Sequence, residues 1–153
     1  MRSSLILIGL LIPWCASADE DIDCMAEAIY YEARDQSVVG QLAIGVIIKN
    51  RKKHPDWPNT ICGVVRQGDM RSGRLTLNRC QFSYYCDGLP ETPTDETAWE
   101  LANNLARLVI ESDLEIDGLY GVTHYHATYV TPSWLHQVQY RTRIGQHRFY
   151  VGK

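Results

Sequence analysis

The 153-residue chain has no excess of basic charge: 15 lysines and arginines stand against 18 aspartates and glutamates, for a formal net charge of −3. Proteins that bind nucleic acid do so through clustered cations, so this balance argues against a nucleic-acid partner. Beyond Trp14 no window has the roughly 20 consecutive apolar residues that a membrane span needs. Internal repeats and low-complexity tracts are also missing, which excludes a solenoid or a disordered linker protein.

The one long apolar run is at the start. Arg2 is followed by Leu5 to Trp14, then Ala16-Ser17-Ala18, then the acidic Asp19-Glu20-Asp21. A charged start, a short apolar middle and a small-x-small exit predict a signal peptide over residues 1–18. Trp14 is too bulky to precede a lipidated Cys15. The expected mature domain, residues 19–153, has a formal charge of −4, because Arg2 leaves with the leader. It is expected to be secreted or periplasmic, monomeric and without stable membrane insertion.

Four cysteines remain after the leader: Cys24, Cys62, Cys80 and Cys86. An even number in an oxidising compartment predicts two disulfides, and four cysteines allow three pairings. Cys80 and Cys86 bracket five residues and are expected to bridge locally, leaving Cys24 for Cys62. A cysteine amidase would need one of these thiols free, which the even count argues against.

Tyr30-Tyr31-Glu32-Ala33-Arg34 is the unusual stretch. On a helix from Asp23 to Asp35 at ~100° per residue, Met25, Ala28, Ile29 and Glu32 share one arc. Glu27 and Arg34 fall on the opposite, solvated side. A carboxylate among apolar groups loses hydration, which raises its pKa and suits it to donate a proton. Glu32 is therefore a candidate general acid; a buried glutamate paired with an arginine would have the same pattern.

A second helix is expected over Val38 to Lys49. It is apolar nearly all round and hence central, with Gly40 and Gly45 marking close approach of a neighbour. His54 to Asn59 is a proline-interrupted loop, after which Asn59 or Thr60 caps a short helix, Ile61 to Arg66. Gln67 to Leu77 has no hydrophobic period and is expected to be a surface loop. Cys80 to Gly88 is expected to be a stiff aromatic loop. Pro93-Thr94-Asp95-Glu96 opens a helix to about Glu111, buried through Trp99, Ala102, Leu105, Ala106 and Val109. Beyond Gly118 the chain turns β-prone, and Gln139 to Tyr150 reads as a hairpin turning near Ile144-Gly145.

Two further patterns bear on chemistry. His124 and His126 would share one face of a strand, but no third ligand stands at a fixed offset, so neither metal nor cofactor is expected. The last twenty residues, Trp134 to Lys153, carry four basic residues and no acid. Such a segment suits an anionic polymer or is simply a solvated basic tail.

Taken together, Met25 to Arg34, Gly40-Gln41-Leu42-Ala43, Lys49-Asn50-Arg51, Trp57-Pro58-Asn59-Thr60, Cys80-Gln81-Phe82-Ser83, Thr123-His124-Tyr125-His126 and Ile144 to Tyr150 closely resemble the SleB-type cell wall hydrolases. The likeness spans nearly all of residues 19–153 in the same order. It implies an α+β, mainly helical, compact lysozyme-like domain with a small β-hairpin region near the C-terminus. It also implies peptidoglycan glycan strands as the partner and Glu32 as the catalytic glutamate of a lytic transglycosylase. By the same likeness Gln81, Phe82, Ser83, Tyr84, Tyr125 and His126 would line the sugar cleft. A hydrolytic muramidase, an amidase acting on the peptide stem and a non-catalytic wall-binding module are the alternatives. A two-carboxylate hydrolase needs a second acid, for which Asp35, Asp56 and Asp87 are the candidates.

Overall fold

The computed structural model describes residues 16–112 and 114–152. Residues 1–15 of the expected leader lie outside the described residues.

Helix α1, Ala16–Ala33, follows from the recurrence of Ile22, Met25, Ala26, Ile29, Tyr30 and Ala33, all buried. Met25 and Ile29 have no solvent exposure, and each such side chain contributes about 1.5–3 kcal/mol on burial. The helix stops in a tight corner, where the Gln36 N–H donates to the Ala33 carbonyl at 2.9 Å. Ser37 then caps α2, Val38–Lys53, by accepting from the Gly40 N–H. Two helices thus meet just past Glu32.

Helix α2 is the central one and runs one turn longer than its apolar stretch. A Cβ at Gly45 would sit 3.1 Å from Val109 and 3.4 Å from both Ile29 and Met25, so this glycine is where α1 and α4 press on α2. Gly40 instead crowds Gln36, directly before the helix. Thr60, rather than Asn59, caps α3, Ile61–Val65. Helix α4, Glu96–Glu111, is capped by Asp95 and buries Ala102, Leu105, Ala106 and Val109, with Trp99 partly covered.

Residues 67–77, expected as a loop, form most of an antiparallel hairpin: β1, Gly68–Arg71, and β2, Arg74–Cys80. Its turn uses positive φ at Ser72 and Gly73. Because both strands are largely exposed, no apolar alternation betrays them. The Cys80 to Cys86 loop winds into a 3₁₀ turn over Ser83–Cys86.

The C-terminal hairpin, β4 (Val138–Ile144) with β5 (His147–Gly152), is present and turns at Gly145. Strand β3, His124–Ala127, joins it to make an antiparallel sheet of order β3-β5-β4. Phe149, Leu119 and Val122 pack this sheet region against Ala43, Val46 and Ile47 of α2. The molecule is therefore a helical body with a small sheet on one flank, the α+β class that the sequence implied. Disulfides join Cys24 to Cys62 and Cys80 to Cys86, the expected pairing. None of these four cysteines is thereby left as the free thiol that a cysteine amidase would need. No helix among the described residues is long and apolar enough to cross a membrane.

Candidate active site

Glu32 occupies the last turn of α1 and lines a cleft of about 330 Å³ together with Tyr31, Arg34, Asp35, Gln36, Ala127, Tyr129, Gln146 and His147. The cleft runs between the α1–α2 corner and the ends of β3 and β5. Gln36 helps to close it, its side-chain carbonyl accepting from the Gln146 N–H at 3.2 Å.

Glu32 is partly buried where it lines the cleft. Burial raises its pKa above the ordinary carboxylate value, opposed by the Tyr125 hydrogen bond and then by the Arg51 charge. The Tyr125 hydroxyl, on β3, donates to Glu32 Oε2 at 2.9 Å. Tyr125 is itself pushed well above its usual pKa, first by burial and then by the Glu32 charge, so it stays a donor.

Arg51 of α2 is the third member. It is 4% exposed, its Nε donates to the Thr123 carbonyl at 2.8 Å, and its guanidinium lies 4.1 Å from the Trp57 ring centre. Phe82 flanks it on another side at 5.4 Å. Burial lowers its pKa to about 10, and Nη1 is buried without a protein partner. The spacing of Lys49-Asn50-Arg51 gave it no chemical role, because it comes near Glu32 only through tertiary packing, anchored on the Thr123 carbonyl just before β3.

The other expected site residues divide. Phe82 is 1% exposed and belongs to the core. Tyr84 is also buried and stacks on Tyr31 with ring centres 4.6 Å apart. Gln81 and Ser83 are exposed, and neither they nor the two aromatics line the cleft that holds Glu32. His126 is buried, with Nδ1 against the Ala127 carbonyl and Nε2 against the Tyr150 hydroxyl, both at 2.8 Å. A carbonyl only accepts, so Nδ1 carries the proton. Among the described residues Tyr125 is thus the one of the six that hydrogen-bonds to Glu32.

Three residues for which no role in the sugar cleft was expected from sequence line it as well. His147 has Nδ1 buried without a partner, and burial lowers its pKa. Tyr31 forms a wall and Tyr129 is exposed at the rim. Among the three candidate second carboxylates only Asp35 lines the cleft, and it is exposed. Glu27, expected on a solvated face, is instead partly covered, with one carboxyl oxygen unpartnered; burial first, then Glu91, raises its pKa. A larger cavity of about 710 Å³ between α2 and residues 114–123 does not reach Glu32.

Glu32 thus stands at the end of the first helix, facing a cleft bordered by a small sheet. The chain belongs to the cell wall hydrolase family, whose profile matches residues 35–150, beginning just after Glu32. It is 31% identical over 133 residues to a spore cortex-lytic enzyme of Halalkalibacterium halodurans, covering 86% of this chain and 35% of that one. It is 28% identical over 132 residues to a spore cortex-lytic enzyme of Bacillus subtilis, covering 86% and 38%. The chain therefore spans somewhat over a third of the length of these curated relatives. Among solved structures it is similar to the catalytic domain of the germination-specific lytic transglycosylase SleB from Bacillus anthracis. That likeness has a TM-score of 0.66 and 25% identity, and it covers 90% of this chain and 98% of that one. The catalytic domain of the Bacillus cereus SleB protein shares the fold at a TM-score of 0.60 and 24% identity, over 90% of this chain and 94% of that one.

Proposed function

We propose that residues 19–153 form a secreted or periplasmic, monomeric lytic transglycosylase. It cleaves peptidoglycan between N-acetylmuramic acid and N-acetylglucosamine, with Glu32 as the general acid and then the general base. The observation that carries this reading is the Glu32 carboxyl itself, lining a cleft, desolvated and held on one oxygen by Tyr125.

Cleavage of a glycosidic bond needs a proton on the leaving oxygen while positive charge develops at the anomeric carbon. Glu32, favoured in its neutral form by burial, gives that proton as the C–O bond breaks. The resulting carboxylate is stabilised by the Tyr125 hydroxyl and the nearby Arg51 charge, both of which favour the ionised form. The muramic acid's own primary hydroxyl, assisted by the substrate acetamido group, then forms the new C–O bond and returns its proton to Glu32. No water enters and the product ends in anhydro-muramic acid.

The route needs one carboxyl, which fits a cleft whose other acid is exposed. In this scheme Phe82 and Tyr84 support Arg51 and Tyr31 from beneath, while Gln81 and Ser83 meet sugar units beyond the cleft. Mass spectrometry of muropeptides after digestion, wild type beside Glu32→Gln, tests the proposal. Anhydro-muramyl products from wild type alone support it. Free peptide stems, or equal products from both proteins, would overturn it.

A further inference from the structure

The two faces of the β3-β5-β4 sheet differ. The inner face carries Tyr125 and Phe149 toward α1 and α2. On the outer face the register aligns His124, Tyr150 and Tyr140 in one row across all three strands. Trp134 lies over this row, its ring centre 5.4 Å from His124 and 5.9 Å from Tyr150. Tyr140 is 54% exposed and Trp134 partly so.

The neighbouring row sets Arg148 directly opposite Arg143. Like charges placed opposite each other on adjacent strands are destabilising, so this pair opposes the stability of the hairpin. Both are exposed, and among the described residues neither forms an ion pair; Arg143 uses its Nε on the Gly145 carbonyl. From residue 118 onward the sequence holds no aspartate or glutamate at all. The result is an aromatic row beside a cationic row, with no anion of the segment's own to neutralise it. The next ladder pair after His126 and Arg148, Ala127 and His147, turns to the inner face and lines the cleft beside Glu32, so the two outer rows lie across the sheet from the cleft.

We infer that this outer face is a second, non-reacting docking surface for peptidoglycan. Trp134 and Tyr140 meet sugar rings through their apolar faces, and Arg143 with Arg148 holds free carboxylates of the same strand's peptide stems. The inference rests on peptidoglycan being the substrate, and it accounts for the basic, acid-free C-terminal run that the cleavage chemistry leaves unused. Its consequence is retention on the wall between cleavages.

The test is co-sedimentation of the full chain with purified sacculi, in the Glu32→Gln background so that the polymer stays intact. Arg143→Gln with Arg148→Gln is expected to weaken binding by about tenfold, since exposed ion pairs are individually weak, and to flatten its salt dependence. Sacculi whose carboxylates have been converted to amides should bind Glu32→Gln as poorly as the double variant binds native sacculi. In the active background, the double variant should release fragments from short soluble glycans at the wild-type rate. Equal sedimentation of variant and parent, or no sedimentation of the parent, overturns the inference. So does loss of binding on sacculi stripped of phosphate polymers, which would make the partner a phosphate chain. Failure of the catalytic reading would appear separately, as wild-type protein that releases no fragments while the binding comparison still reads out.

Discussion

The Tyr125 hydroxyl donates to Glu32 Oε2 across a separation of 93 residues, tying the sheet to the end of the first helix. It is the one polar bond between the candidate acid and the opposite wall among the described residues, and it opposes the effect of burial on Glu32. Removing it therefore moves the chemistry in a stated direction. In Tyr125→Phe the Glu32 pKa rises further. A general acid works only while protonated, so activity declines as pH rises through that pKa, and the alkaline limb of kcat/KM should shift upward in the variant. Fragment release measured across pH checks this; an unmoved or lowered limb contradicts it.

Glu32→Gln should lose activity by about 10²–10⁴-fold, the usual contribution of a positioned acid or base, while keeping the fold. Its stability should also change with pH. Burial raises the folded-state pKa of Glu32, so between the unfolded value and the folded one the native protein holds more protons than the unfolded chain. Wild-type stability accordingly falls as pH rises through that interval, and the loss persists above it. The glutamine variant lacks this penalty, so its advantage in thermal melts should be absent at low pH and present near neutrality. A melting difference independent of pH would contradict the desolvation of Glu32.

Arg51→Lys retains a charge but loses both the Nε bond to Thr123 and the planar contact with Trp57. Lysine and arginine are not interchangeable at a stacked, buried site. The expected cost is about 1–3 kcal/mol, mostly from the carbonyl left without its donor, read as a lower denaturant midpoint. An unchanged midpoint would mean that the guanidinium is not a structural part of the site.

The two disulfides should differ in worth. Cys24–Cys62 closes a separation of 38 residues and Cys80–Cys86 one of 6. On the chain-entropy account the first contributes roughly 4 kcal/mol and the second about 2 kcal/mol. Cys24→Ser with Cys62→Ser should therefore lower the melting temperature more than Cys80→Ser with Cys86→Ser. The reverse order would show that the small loop stores more of the fold than its length suggests.

The sequence foretold the elements whose burial repeats with the period of a helix. Met25, Ala28, Ile29 and Glu32 were legible on one arc because a helix imposes that spacing locally. The α2 core and the opening of α4 within Pro93 to Glu96 were legible for similar reasons, whereas the Cys24–Cys62 pairing rested on the even cysteine count and the short Cys80–Cys86 spacing. The β1–β2 hairpin was not, since strands exposed on both faces carry no alternation. Phe82 and Tyr84 were assigned to the cleft by family likeness, and their burial, Phe82 just before the 3₁₀ turn and Tyr84 within it, follows from packing that no local pattern announces. Glu27 looked solvated on the helix wheel, yet it is partly covered and feels the charge of Glu91, far along the chain. Arg51 and His147 acquire their places near Glu32 only through tertiary packing, for which no local pattern exists.

The central claim concerns the origin of the oxygen at the newly cut sugar end. Digestion of peptidoglycan in water enriched in heavy oxygen, followed by mass spectrometry of the muropeptides, reads it directly. Anhydro-muramyl ends without label are predicted; reducing muramic acid ends carrying the heavy isotope would contradict the account.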